Sequence, residues 1–151
     1  MYLLGGSALC LLGNPRETLD VDYTYELAQP DIREFEEALK ELSSELKLDL
    51  ESVRLSEFIP LPPEAHNRRR FIGKFGRLDV YIFDLYSIAL SKIARGFESD
   101  LEDVEFMIRQ DLVRLDQLEQ HFQAILPEAP HADIDPREFG AYFLELKRRL
   151  A

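Results

Sequence analysis

From Thr18 to Tyr25 the chain reads Thr-Leu-Asp-Val-Asp-Tyr-Thr-Tyr. Alternation among β-branched and aromatic residues predicts a strand. Residues two apart on a strand share a face and lie about 6.6 Å apart along it. Asp20 and Asp22 therefore project from one side, while Leu19, Val21 and Tyr23 turn to the other, into a core. One such segment commits the chain to a sheet, and the remaining apolar runs say what surrounds it.

Tyr2 to Leu4 predicts a short strand, followed by Gly5-Gly6-Ser7 and a small apolar helix around Ala8 to Leu12, broken by Gly13-Asn14-Pro15. Pro30 is expected to close this unit. Ile32, Phe35, Leu39, Leu42 and Leu46 then recur at helical spacing, with Asp31 and Glu34 as a capping pair. Further strands are expected at Val53 to Ile59, at Arg69 to Ile72 before a turn over Gly73 to Gly76, and at Leu78 to Phe83. Asp84 is placed to cap a helix carrying Leu85, Ile88, Ala89 and Ile93, ended by Arg95-Gly96. From Ser99 onward the pattern is helical throughout. Ser99-Asp100-Leu101-Glu102 reads as a capping box, and Asp135-Pro136-Arg137-Glu138 as a cap with a first-turn proline. The expected fold is α+β, a small mixed sheet with flanking helices over residues 1–97 and a C-terminal helical segment over 98–151.

The 151 residues carry 18 Lys and Arg against 29 Asp and Glu, a net charge of −11. That balance excludes a nonspecific nucleic-acid coat, which needs clustered cations, and an anionic membrane surface. With 46% hydrophobic residues the chain can bury a core, and one cysteine cannot form an internal disulfide. The apolar stretch from Met1 to Gly13 lacks a basic leader region and reads as the first buried strand. A soluble cytoplasmic protein without a membrane span is expected. The exception to the acidity is residues 65–78, which contain no acid but carry Arg68, Arg69, Arg70, Lys74 and Arg77. This run reads either as a meeting place for a triphosphate or RNA acceptor or as a solvated hairpin.

Two pieces carry chemistry. Paired carboxylates on one strand face suit a hard cation such as magnesium or manganese. Gly5-Gly6-Ser7 between a strand and a helix offers backbone N–H groups and a hydroxyl to a phosphate. In this order they describe phosphoryl or nucleotidyl transfer, with metal-bound carboxylates beside a held triphosphate.

Leu3-Leu4-Gly5-Gly6-Ser7-Ala8-Leu9, followed by Arg16-x-Thr18-x-Asp20-Val21-Asp22, resembles the signature of small bacterial nucleotidyltransferase-fold proteins. These belong to the DNA polymerase β-type superfamily, near the AbiEii-like type IV toxin nucleotidyltransferases. Residues Phe83 to Lys92, Arg95-Gly96 and Asp100 to Val104 resemble that group's second block, a helical lysine followed by an acidic D-x-x-D. The resemblance implies that Gly5, Gly6 and Ser7 hold nucleotide phosphate, that Asp20 and Asp22 bind the metal, and that Lys92 offsets phosphate charge. Asp100 and Asp103 either pair with Lys92 or act near the acceptor. It also implies a third carboxylate from a neighbouring strand, for which Asp79 and Glu57 are the candidates and Asp79 has the better flanks. The function implied is Mg-dependent transfer of an NMP from an NTP to an acceptor, an RNA end or a protein, in a toxin–antitoxin or defence setting with a cognate partner protein. The competing expectation is a catalytically degenerate member acting as an interaction or regulatory module.

Overall fold

The computed structural model describes residues 1–18 and 20–151, with Ser56 described by its backbone alone. Leu19, expected to face the core, lies outside the described residues. In chain order the elements are β1 (Tyr2–Leu3), α1 (Gly5–Leu11), β2 (Asp20–Thr24), α2 (Gln29–Leu46), β3 (Asp49–Ser52), α3 (Leu55–Phe58), β4 (Arg70–Phe75), β5 (Leu78–Ile82), α4 (Leu85–Arg95), α5 (Glu98–Arg109), α6 (Leu115–Ile125) and α7 (Pro136–Leu150). They form two compact units, one of Met1–Val53 with Phe71–Ile82, the other of Arg54–Arg70 with Phe83–Ala151. The boundary expected between residues 97 and 98 falls inside the second unit. The class is α+β with a five-stranded mixed sheet, consistent with the expected nucleotidyltransferase-type fold.

The first unit is built on the sheet, in the order β3-β2-β1-β5-β4. β1 runs antiparallel to β2 and parallel to β5, and β2 runs parallel to β3. Tyr2 stands opposite both Thr24 and Tyr81, and its ring stacks on Tyr81 at 5.6 Å. On the other face of β2, Tyr23 packs with Tyr25 and edge-on against Phe35 of α2. These tyrosines are core and shoulder residues of the sheet.

Several elements differ from expectation, each for a local reason. α2 begins at Gln29, so Pro30 opens the helix instead of closing the preceding unit; a first-turn proline loses no helical hydrogen bond. The third strand forms at Asp49–Ser52, and the residues expected to be a strand at 53–59 fold instead into the single-turn α3. The alternation Leu48-Asp49-Leu50-Glu51 marked it, but Asp and Glu are poor strand formers and obscure the pattern. β4 runs on through Gly73 to Phe75, and the turn is Gly76-Arg77, with Gly76 at a φ of 62°.

The second unit is centred on α4, of whose eleven residues eight are buried. A helix apolar nearly all round needs partners on every side, and α5, α6 and α7 supply them. Asp84 caps α4 as expected, accepting from the Tyr86 and Ser87 backbone N–H groups and from the Ser87 hydroxyl at 2.7 Å. Gly96 ends it in the left-handed conformation, where a methyl group would also overlap the Tyr142 ring. Asp135 caps α7 through the Arg137 and Glu138 N–H groups. The Ser99 capping box does not form: α5 starts at Glu98 with Phe97 as its cap residue and no side-chain cap. No described helix is long and apolar enough to cross a membrane.

Candidate active site

β1 is only two residues long, and the chain turns into α1 directly behind it. Gly5 makes that turn possible at a φ of 60°. Beside it, the Leu4 N–H donates to the Asp22 carbonyl at 2.9 Å, so β2 is tied to the mouth of α1. The Asp22 carboxylate lies directly over Gly5, and a methyl group there would overlap Oδ2. Glycine is thus required twice at this position, once for backbone conformation and once for the close approach of a carboxylate. Around Gly6 a methyl group would meet only ordinary contacts with Thr18 and Arg16. Ser7 donates its hydroxyl back to the Leu4 carbonyl at 3.0 Å, closing the first turn of α1, whose cap residue Leu4 supplies no side-chain bond.

The register across the sheet sorts the carboxylates. Asp20 stands opposite Asp49 and Asp22 opposite Glu51, in parallel β2 and β3. Directly paired residues share a face, so four acids form two facing like-charge pairs on one side of two adjacent strands. Such pairs cost stability unless something positive offsets them. Asp79 does not join this group. The row through Tyr2 joins Thr24 to Tyr81; Asp22 lies two residues to one side of it and Asp79 two residues to the other. The strand rise alone separates them by about 13 Å. Asp79 instead faces Lys74 loosely, at 3.9 Å, and its carbonyl accepts from the chain's N-terminal amine. Glu57, the other third-carboxylate candidate, is exposed on α3 in the second unit, beside Arg54 at 3.5 Å, and not on a strand.

Asp49 and Glu51 are therefore the acids that sequence reasoning missed. Their signal was the outward half of an alternating run straight after an amphipathic helix. The oxygen-only donor set of β2 and β3 suits a hard divalent cation. As the side chains stand, no three His, Cys, Asp or Glu residues among those described gather closely enough to hold one.

In the second unit, Lys92 is 1% exposed, and its ammonium donates to Asp103 Oδ2 at 2.7 Å and to Asp100 Oδ1 at 3.2 Å. Arg95 adds a 2.6 Å bond to the same Asp100 oxygen. The i, i+3 spacing puts both acids on one face of α5, so the D-x-x-D motif here is a clasp on a buried lysine. Asp84, fully buried, is gripped by both nitrogens of an Arg68 fork at 2.8 Å, and this contact raises the pKa of the Arg68 guanidinium. His121, its ring tilted against Tyr86, is shifted the other way: burial first, then the nearby Arg68 charge, push its pKa below the ordinary 6.5.

The basic run is also resolved into parts. Arg68 is spent on Asp84, and Arg77 spans Asp31 and Glu34 at 3.1 Å each.

No curated protein and no solved structure matches the chain. One family model does match, over residues 1–138, and it is described as a nucleotidyltransferase of unknown function. With a mixed sheet, a glycine turn beneath a carboxylate and an acid pair on β2 already in place, that match covers the sheet, the turn and all four facing acids. The chain belongs to this nucleotidyltransferase family, DUF6036.

Proposed function

We propose that the protein transfers a nucleoside monophosphate from an NTP to an acceptor, with Asp20 and Asp22 as the metal-binding pair. The observation that carries this reading is the Asp22 carboxylate seated over Gly5 while Asp20 and Asp22 face Asp49 and Glu51. Asp20 and Asp49 are exposed like charges facing each other, a costly arrangement that a divalent cation would offset. Asp20 and Asp22 would hold that cation, with Asp49 or Glu51 as the third carboxylate in place of Asp79 or Glu57. Bound there, magnesium or manganese would supply charge neutralisation for the triphosphate and polarisation of the reacting phosphorus. The Gly5-Gly6-Ser7 turn would present backbone N–H groups to phosphate. The carboxylate nearest the acceptor would position its hydroxyl and take the proton as the acceptor oxygen bonds the α-phosphorus, the bond to the β-phosphate breaks and pyrophosphate leaves. Lys92, clasped by two acids, serves the fold in this reading and not the phosphates.

Titration calorimetry of each NTP with magnesium tests it. Wild-type protein is expected to bind at least one NTP in a metal-dependent way, and Asp20→Ala/Asp22→Ala to lose that binding at least about tenfold. Absence of metal-dependent binding in the wild type overturns the reading. Incubating the protein with labelled NTPs and total cell extract then identifies the acceptor as an RNA end, a protein or a small molecule. A toxin–antitoxin or defence role, with a cognate partner, is the setting we propose for it.

One observation favours a second reading, a family member retained as an interaction module: no three carboxylates gather at one point among the described residues. In that case the titration is silent while the protein remains folded.

A further inference from the structure

Among the described residues the sheet ends on two edge strands, β3 and β4, and they are opposite in character. β3 is four residues long and lined with acids. β4 is six residues long, reads Arg-Phe-Ile-Gly-Lys-Phe, and leaves Phe71, Ile72 and Phe75 exposed by 60%, 39% and 62%. An edge strand presents an unpaired row of N–H and C=O groups, and exposed apolar side chains beside that row make it a template for another strand. Alternation puts Arg70, Ile72 and Lys74 on one face and Phe71, Gly73 and Phe75 on the other. The Phe75 ring leans over Gly73, 3.3 Å from where a methyl group would stand, and Phe71 lies against Tyr81, so both rings stay at the strand surface.

We propose that β4 takes an extended acidic segment of a partner protein as a sixth strand of the sheet. Acids at alternate positions would face Arg70 and Lys74, and apolar residues between them would cover Phe71 and Phe75. Charge complementarity chooses this occupant. A second copy pairing β4 with β4 would bring its own Arg70 and Lys74 against the first pair, and its acidic β3, four residues long, falls short of the six residues of β4. A single-stranded nucleic acid needs several unspent cations for its phosphates; in the run Arg68 and Arg77 are held closely by carboxylates, and Lys74 meets Asp79 only loosely, at 3.9 Å. The inference does not depend on nucleotidyl transfer.

The test uses the full chain and a synthetic peptide of about ten residues alternating Glu and Val, the length that spans an edge strand. Titration is read together with amide hydrogen exchange across β4. Binding is expected with the amides of 70–75 protected, weakened several-fold by raising salt from about 0.05 to 0.5 M. A peptide N-methylated at alternate residues keeps its charge but cannot pair, and is expected to lose binding. Lys74→Glu is expected to weaken the Glu–Val peptide at least tenfold and to admit a Lys–Val one, while Asp20→Ala/Asp22→Ala binds like wild type. Equal binding of the N-methylated peptide overturns the proposal, as does absence of protection at millimolar peptide. A dimer of the chain in sedimentation that Lys74→Glu alters would assign the edge to a second copy instead. An RNA oligonucleotide that protects β4 where the peptide does not would assign it to nucleic acid.

Discussion

The two units treat the same residue type in opposite ways. In the first, Asp20 and Asp49 stand exposed and face each other as like charges across β2 and β3, and exposed Glu51 stands opposite Asp22. In the second, Asp84, Asp100 and Asp103 are buried and each is matched to a cation. D-x-D and D-x-x-D look equally suggestive on paper. Burial separates them: a buried carboxylate must be paired to exist at all, whereas an exposed like-charge pair persists only because something else gains from it. The acids of β2 and β3 line one face of two strands, and Asp84, Asp100 and Asp103 hold helices together.

The contrast can be broken most forcefully at Lys92. Lys92→Ala leaves Asp100 and Asp103 buried without their shared cation and is expected to cost about 3–5 kcal/mol in urea unfolding. A mere surface lysine would cost almost nothing, so a small loss refutes the clasp. Asp84→Ala comes next: it removes the α4 cap and the Arg68 fork together, and about 2–3 kcal/mol is expected because Arg68 retains a path to water. On the sheet the sign reverses. Asp49→Asn relieves the facing pair with Asp20 and is expected to stabilise the metal-free protein by about 0.5 kcal/mol while weakening metal-dependent nucleotide binding. A destabilised Asp49→Asn would mean that the acid serves the fold.

The smallest effect is at His121. Its folded pKa lies below that of the unfolded chain, so as pH falls through about 6.5 the unfolded state takes up the proton first. Stability therefore declines on acidification from neutral pH, and His121→Phe is expected to flatten that part of the profile. A profile unchanged by the substitution would remove His121 from the account.

Much of the architecture was legible in advance. The β2 alternation, the α2 stripe, β5, the Asp84 and Asp135 caps and the Gly96 stop all depend on local chemistry that sequence states directly. The Ser99 box failed because its motif sits one residue inside a helix started by Phe97, where Asp100 is engaged by Lys92 and Arg95. Asp79 and Glu57 were misplaced as partners of the acid pair because strand flanks say nothing about which row a residue occupies.

The sequence by itself determined that two carboxylates share one strand face behind a glycine turn, since period-two alternation and left-handed glycine are properties of a few consecutive residues. Only the tertiary structure decided which acids stand beside them and which are consumed elsewhere. Register between β2 and β3 put Asp49 and Glu51 opposite Asp20 and Asp22, and helix packing closed Asp100 and Asp103 over Lys92. Both depend on contacts between segments distant along the chain, which no local pattern encodes.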